Sequence, residues 1–519
     1  MDLTIHQALE LALAHHAAGR LDQAEELYRR VLAAEPDNPD AMEMLGVAAS
    51  QRGRHEEGLQ LIDRALALRP TAADYHSNRG VVLIALERTE EAVDAFRRAL
   101  ELRADFPSAV EYLAKALKSL QRGNEAIDAY RRYLEVKPDD VQACLNFGIA
   151  LREEGRLEEA IAAYRRCLEM KPDYAEGHSN LAVALSAMGK PDEAVAAYRR
   201  AIQIKPDFAE AHHNLSLVLL LRGDLTKGWK EYEWRWRCKD FPSRRRDFSQ
   251  PMWKGEALNG KTILLHAEQG IGDTIQMVRY VPAILEKGGK IVLECQGPLR
   301  RLMQGFPGVQ QVIGAGESLP PFDVHCPMMG LPRVLDTRPE TIPGGVPYLS
   351  PDAGLKKKWA EKLGPRDGTL WVAVNWSGNP GFQRDRTRSI SLQQLAPLAR
   401  APRTTFFSLQ KGAAAAQIRE TPPGMRLIDV GSDIQDFADT AAVISLMDLV
   451  ITTDTSIPHL AGAMGAPTWL MLQFVADWRW MIAREDSPWY PTIRLFRQSA
   501  RGDWAGVVER VAVALESMA

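Results

Sequence analysis

Through the first half of the chain the apolar positions keep one long period. A small residue recurs at Ala24, Gly58, Ala92, Ala126, Ala160, Ala194 and Gly228, each step being 34 residues. Four positions later stands a large one: Tyr28, Ile62, Phe96, Tyr130, Tyr164, Tyr198 and Tyr232. Twelve positions after the first six small residues come Pro36, Pro70, Ala104, Pro138, Pro172 and Pro206, so only Ala104 departs from proline. Residues four apart share a helix face, and a small residue lets two backbones approach while the large one fills the gap a turn later. Proline stops a helix and starts the next unit. The pattern therefore predicts a pair of helices per repeat and seven repeats over about residues 5 to 240.

After Lys261 the pattern changes to short apolar runs separated by glycine turns and helical stretches. TILLHA, EQGIGD, TIQMVRYVPAILEKG and KIVLEC (262–295) read as strand, turn, helix and strand, which is a βαβ opening with a parallel sheet. Further strands are predicted at Val309 to Ile313 and Phe322 to His325, and a proline- and glycine-rich stretch around Asp336 to Pro351 marks a break. A second series begins at Leu370 with strands LWVAVNW, TTFFSL, MRLIDV, DLVITT and PTWLML, and a last helix covers Asp503 to Met518. The expected domains are 1–240, a junction at 241–260, and two Rossmann-like α/β domains at 261–350 and 351–519. Doubly wound sheets bind ligands at the carboxyl ends of their strands. Three clusters fall there: Glu268 to Asp273, Asn375 to Arg388, and Thr452 to His459.

Composition narrows the function classes. The 519 residues carry 64 Lys plus Arg against 67 Asp plus Glu, a net charge of −3, which excludes a polybasic nucleic-acid binder. Five scattered cysteines with no C-x-x-C suggest neither a disulfide framework nor a cysteine zinc site, and a reducing compartment is the simplest reading. The N-terminal MDLTIHQALELALAHH lacks a basic region and a long apolar core, and no stretch approaches the roughly 20 apolar residues of a membrane span. A cytoplasmic location without a membrane span is expected.

Two local patterns invite misreading. The junction is dense in Trp229, Trp234, Trp236 and Arg244 to Arg246, which could form a stacking surface for single-stranded nucleic acid. Capping the last repeat and gluing it to the next domain is the favoured role, because a solenoid end must hide its apolar face. Gly255 to Thr262, GEALNGKT, matches a phosphate-loop pattern, yet it precedes an apolar β-run where a phosphate loop would open a helix. Lys261 merely starts a strand.

The 34-residue register resembles the tetratricopeptide family, which implies a superhelix with a peptide-binding groove. One register position reads Met44, Asn78, Tyr112, Asn146, Asn180 and Asn214. An amide both donates to and accepts from a peptide backbone, so these asparagines either grip an extended chain or bond neighbouring helices. The resemblance to protein O-GlcNAc transferases, with their asparagine ladder, favours Asn78, Asn146, Asn180 and Asn214 as acceptor-binding residues.

The second half resembles GT-B glycosyltransferases of the heptosyltransferase-like type over roughly residues 260 to 519. GIGDTIQ (270–276), NWSGNP (375–380) with RTRSI (386–390), and TTDTSIPHLAGAMGAP (452–467) carry the resemblance. Ser456 stands where the family usually has glycine, and Arg388 where a lysine is common. Asp273 can cap a helix or, as the resemblance implies, act as the base that takes a proton from an attacking hydroxyl. Asp454, Thr455, Ser456 and His459 open a helix after a strand and form an anion site for a nucleotide sugar's phosphates. Ser377, Asn379 and Arg388 lie on the loop after the first strand of the last domain, where a guanidinium clamps phosphate. Gln410 and Lys411 end the next strand and are expected to touch the base or ribose. No D-x-D occurs, so a metal-independent transfer without a cofactor is expected, the nucleotide sugar being a substrate.

The leading expectation is a glycosyltransferase that moves a sugar from a nucleotide donor to a hydroxyl of a polypeptide held by the repeats. Flagellin-modifying transferases of similar layout suggest flagellin as acceptor. A non-catalytic repeat scaffold, or a transferase acting on a glycan or lipid core, stands as the alternative.

Overall fold

The computed structural model describes residues 4–243, 245–381 and 385–518. They pack as two compact units, 1–185 and 186–519. The first unit is helical throughout: α1 (Ile5–Ala17), α2 (Leu21–Ala34), α3 (Pro39–Gln51), α4 (His55–Leu68), α5 (Ala73–Ala85), α6 (Thr89–Leu102), α7 (Pro107–Ser119), α8 (Gly123–Val136), α9 (Val141–Glu153), α10 (Leu157–Met170) and most of α11 (Ala175–Ala187). The second opens with α12 (Pro191–Ile204), α13 (Ala209–Leu221) and α14 (Leu225–Tyr232) before its two sheets.

The small and large positions of the period are the core of the array. Tyr28, Ile62, Phe96, Tyr164, Ala24, Ala92 and Ala160 are all fully buried. Each large side chain so placed contributes roughly 1.5–3 kcal/mol by leaving water. The facing helix must be bare where the ring lands: a Cβ on Gly80 would lie 2.5 Å from the Phe96 ring, and one on Gly148 2.5 Å from Tyr164. The third repeat ends on schedule at Leu102 although Ala104 replaces the proline, with the Arg103 N–H still closing on the Ala99 carbonyl at 2.9 Å. Packing, not proline, sets that stop. An arginine just before the second helix of a repeat pairs with a glutamate three residues on, as in Arg54–Glu57, Arg88–Glu91, Arg122–Glu125 and Arg156–Glu159. Exposed pairs of this kind add only about 0.2–1 kcal/mol each.

The second unit holds two parallel sheets. β1 (Thr262–His266), β2 (Lys290–Cys295), β3 (Val309–Gly314) and β4 (Val324–Pro327) take the order β3-β2-β1-β4. β5 (Leu370–Asn375), β6 (Thr404–Ser408), β7 (Leu427–Asp429), β8 (Leu449–Thr453), β9 (Thr468–Leu472) and β10 (Ile493–Arg497) take the order β10-β9-β8-β5-β6-β7. Read from its other edge, the second sheet has the doubly wound order 3-2-1-4-5-6, whose direction reverses between β5 and β8. Alternate residues feed opposite faces: Ala373, Phe407 and Val450 pack with the helices Phe437–Ile444 and Ser456–Ala463, whereas Val372, Phe406 and Leu449 pack with Trp504–Glu516. Burial on both faces explains why these strands read as continuous apolar runs. The pattern missed β10, which is five residues long with an exposed arginine at its second position.

The aromatic junction is glue, as favoured. Trp229 meets Trp478 edge-on at 5.0 Å, His212 stacks on Trp234 at 3.9 Å, and Trp229, Tyr232 and Trp253 join the core cluster of the two sheets. Arg235 is fully buried against Glu268 and Glu233. Arg244 of the alternative nucleic-acid surface lies outside the described residues. The GEALNGKT stretch runs directly into β1, so Lys261 stands immediately before a strand and not at the start of a helix.

Candidate functional site

The site lies at the carboxyl ends of β5, β6 and β8, and Asn375 is its hub. The Asn375 side chain accepts from the Thr455 hydroxyl at 3.1 Å and from the Thr452 hydroxyl at 3.4 Å, while its amide donates to the Gln410 carbonyl oxygen at 2.9 Å. Three motifs far apart in sequence are thereby tied at the reversal point of the sheet. The sequence motif contained Asn375, but its amide was not singled out.

Gln410 is held by its own chain. It is buried, its carbonyl accepts from Asn375 and from the backbone N–H groups of Trp376 and Ser377, and its amide donates to the Ser377 and Lys411 carbonyls. Every polar atom of this side chain is engaged in holding the 375–378 loop. Lys411 likewise donates to the Gly431 carbonyl at 3.1 Å and to that of Ile434. Gln410 braces the 375–378 loop, and Lys411 ties its strand end to the 431–434 segment. Ser377 is held through its backbone, and exposed Asn379 closes a turn by accepting from the Gly381 N–H at 3.0 Å. Arg388 leans on Asp385 at 3.1 Å, and Gly378 must lack a side chain because its Cβ would lie 2.8 Å from the Arg388 guanidinium.

Thr455 caps the helix Ser456–Ala463 by accepting the Ile457 N–H at 3.2 Å, and Ser456 is half-buried beside it. A capped N-terminus of this kind concentrates N–H donors and partial positive charge. Asp454, just before it, is buried. Burial and the neighbouring Asp477 push its pKa up to about 7, against the pull of Arg388 and Arg479. His459, one turn into the helix, is buried and hydrogen-bonded through Nδ1 to the Tyr490 hydroxyl at 2.9 Å. Burial, with Arg479, Arg279 and Arg388 nearby, holds its pKa well below the usual histidine value, so the ring is neutral.

The other lobe supplies Asp273. It lies in the first turn of the helix Ile271–Met277 and accepts the Gly270 N–H at 2.7 Å, so the capping role is real. Its second oxygen pairs with Arg479. Burial nonetheless raises its pKa, with Arg479 and the Gly270 N–H opposing. Arg479 also donates to Gln276 at 2.7 Å and Asp477 at 2.8 Å, so one buried guanidinium joins both lobes. The lobes meet closely: a Cβ on Gly272 would lie 2.7 Å from His459 Cδ2. Asp273, Asp454, Arg388 and His459 thus share one electrostatic cluster around Arg479, a residue the sequence reading missed. The segment DWRWMIAR (477–484) has no period or motif that would have flagged it.

The predicted asparagines are all half-buried. Asn78 donates to Glu43, a buried acid whose pKa rises to about 7 through burial. Asn180 donates to the Glu176 carbonyl of its own helix at 2.9 Å, and Asn146 accepts from Gln142 at 3.1 Å. Asn146 lines a cavity of about 170 Å³ with Tyr130, Lys115, Lys118 and Glu153. Asn78 therefore bonds a neighbouring helix, as in the structural alternative, Asn180 bonds within its own helix, and Asn146 lines a cleft; Asn214 lies on α13 in the second unit.

Among the described residues no helix is long and apolar enough to cross a membrane. Tetratricopeptide repeat models match residues 9–73, 51–110 and 112–175, and a second such model matches 151–218. Protein FlbA of Caulobacter vibrioides is 28% identical over 332 residues, which make up 58% of this chain and 54% of FlbA. The chain thus spans about half the length of that relative. Among solved structures, YrrB, described as a TPR protein with an unusual peptide-binding site, is 26% identical and covers 37% of this chain and 98% of its own, with a TM-score of 0.32. A tetratricopeptide repeat protein from Parabacteroides merdae is 19% identical, covering 44% and 91%, with a TM-score of 0.35. The N-terminal region carries tetratricopeptide repeats, an all-helical array that supports a protein-interaction role with a peptide or protein partner.

Proposed function

We propose that the chain is a glycosyltransferase of GT-B type that passes a sugar from a nucleotide donor to a hydroxyl of a polypeptide presented by the repeats. One observation carries the reading: at the reversal point of the second sheet, the Asn375-locked loop and the capped helix N-terminus face Asp273 of the other lobe. The N-terminus of Ser456–Ala463 and Arg388 bind the donor phosphates and offset the charge that grows on the leaving group. Asp273, with its pKa raised by burial, accepts the proton of the incoming hydroxyl. Flagellin is the acceptor that the layout suggests, and the cytoplasm is where the donor would be met.

The scaffold reading draws on a specific observation too: Gln410 is consumed inside the loop, Lys411 is tied to the Gly431 and Ile434 carbonyls, and both oxygens of Asp273 are already engaged. Asp273→Asn separates the two. With a donor in hand, transfer to a Ser- or Thr-bearing protein is followed by intact mass, and the variant keeps nucleotide binding while losing added mass by about 10²-fold or more in rate. Transfer at wild-type rate by the variant would remove Asp273 as base; no mass gain with any donor would favour the scaffold.

A further inference from the structure

The last helix of the array, α14, carries a residue that departs from its own register. The position after the small one reads Leu59, Val93, Ile127, Ile161 and Val195 in repeats two to six, but Trp229 in the seventh. Trp229 is buried and its indole N–H has no partner among the described residues, so what it offers is its ring. The edge of that ring meets Trp478 at 5.0 Å and 86°. Three residues on, Tyr232 holds the large position of the period. Its counterpart Tyr164 buries a hydroxyl without a partner, whereas the Tyr232 hydroxyl accepts from Gln269 Nε2 at 2.6 Å.

Both contacts end beside Asp273. The Trp478 ring lies under Arg479, whose guanidinium carbon is 4.1 Å from the ring centre. That guanidinium pairs with one oxygen of Asp273 and is held by Asp477 at 2.8 Å and Gln276 at 2.7 Å. Gln269 directly precedes Gly270, whose N–H donates to the other Asp273 oxygen at 2.7 Å, and the Gln269 carbonyl is pinned by Gln296 Nε2, also at 2.7 Å. Each oxygen of the carboxylate therefore meets a partner that rests in turn on α14. We infer that Trp229 and Tyr232 are positioning residues for Asp273, acting through Trp478 and Arg479 on one side and through Gln269 and Gly270 on the other. The seventh repeat then belongs to the reaction centre as well as to the array.

The turn that carries Arg479 is seated on the repeat on either side of that residue. Trp478 before it meets Trp229, and Met481 after it packs on the α13–α14 turn, where a Cβ on Gly223 would lie 3.6 Å from the sulfur. The charged and titratable groups facing Asp273 are Arg479 and Asp477 from this turn, Glu268 from its own loop, Tyr232 from α14 and His459 across the lobe contact. Arg479 is the cation among them. Slackening its seat on Trp478 removes the charge that opposes burial and raises the Asp273 pKa further.

This assignment rests on the transferase reading for the reaction but not for the coupling, and the test keeps the two apart. Full-chain variants are compared: Trp229→Leu restores an aliphatic residue of the register, Trp229→Phe keeps a ring, and Tyr232→Phe removes only a hydroxyl. In denaturant unfolding, the cost of Trp229→Leu and of Tyr232→Phe is measured in the wild type and in Asp273→Asn. Independent sites add to within about twofold in the unfolding constant, so a coupling of about threefold or more is expected for each pair, and additivity in both cycles overturns the proposal. The Tyr232→Phe cycle stands if Trp229→Leu does not fold. With a donor that supports transfer, Trp229→Leu and Tyr232→Phe should lower kcat by about tenfold or more and leave the KM for the donor within about twofold, since a misplacement of about 1 Å can cost about 10²-fold. The acid limb of the kcat profile should move to higher pH in Trp229→Leu and return in Trp229→Phe. Wild-type kcat in both variants, or a KM that rises as far as kcat falls, overturns the positioning role. If the wild type transfers from no donor, the transferase reading fails and the unfolding cycles alone decide whether α14 holds the carboxylate.

Discussion

Gly272→Ala adds one methyl group at the point where the two lobes touch. Its Cβ would sit 2.7 Å from His459 Cδ2 and 3.3 Å from Nε2, against the 3.5–4.0 Å at which carbon atoms rest. The overlap of about 1 Å cannot be relieved by the histidine alone, because its ring is tied to Tyr490 at 2.9 Å and covered by Trp480. Overpacking of this kind costs about 1–3 kcal/mol, while alanine returns up to about 1 kcal/mol of helix propensity. Gly305→Ala is the matched control, since its added Cβ has nothing within 4 Å. For a unit spanning 186–519 the unfolding entropy is about 0.7 kcal/mol per K, so a net cost of up to about 3 kcal/mol lowers its Tm by up to about 4 °C. Differential scanning calorimetry of the full chain should resolve that fall in Gly272→Ala, with Gly305→Ala at or above wild type. A Gly272→Ala transition at wild-type temperature would mean that the lobes do not meet at His459.

Three further outcomes follow from the same packing. Arg479→Met leaves Asp273, Asp477 and Gln276 facing a side chain with no donor, and should cost about 3–5 kcal/mol in denaturant unfolding; a loss below about 1 kcal/mol would show that the guanidinium does not join the lobes. Asp454 has its folded pKa lifted to about 7 from 3.8, so the folded chain holds a proton that the unfolded chain has released, and stability falls as pH rises through that interval. Asp454→Asn should flatten the decline in Tm between pH 5 and 8, and an equal decline in both proteins would place the carboxyl's pKa elsewhere. Tyr164→Phe removes a buried hydroxyl without a partner and should leave the helical unit as stable as wild type or up to about 1 kcal/mol more so; destabilisation would reveal a hydrogen bond at that oxygen.

The helical half was legible because each repeat is local: a fixed spacing of small and large residues dictates which faces meet, and the seventh pair falls where the first six predict. The strands of the second sheet were legible as apolar runs because both of its faces are buried, and β10 was not, since Arg494 interrupts its five residues and Arg497 ends them. The site was legible only where it coincides with strand ends. Gln410 was placed at the right strand end, but a sequence does not reveal that the chain itself takes up all the hydrogen bonds of an amide. Arg479 and Tyr490 escaped notice for a different reason. They belong to the irregular segment between β9 and β10, where neither period applies, and their roles exist only once Asp273 and His459 have been brought beside them.

The proposed transfer requires that a nucleotide sugar bind at the reversal point between β5 and β8. The most direct measurement is a thermal-shift panel of the full chain with UDP, GDP, ADP, CMP, dTDP and their sugar conjugates, repeated with Asn375→Ala and Arg388→Ala. One nucleotide class is expected to raise the melting temperature of the wild type by mass action, and both variants to weaken that shift. No shift with any member of the panel, or a shift that neither variant alters, would contradict it.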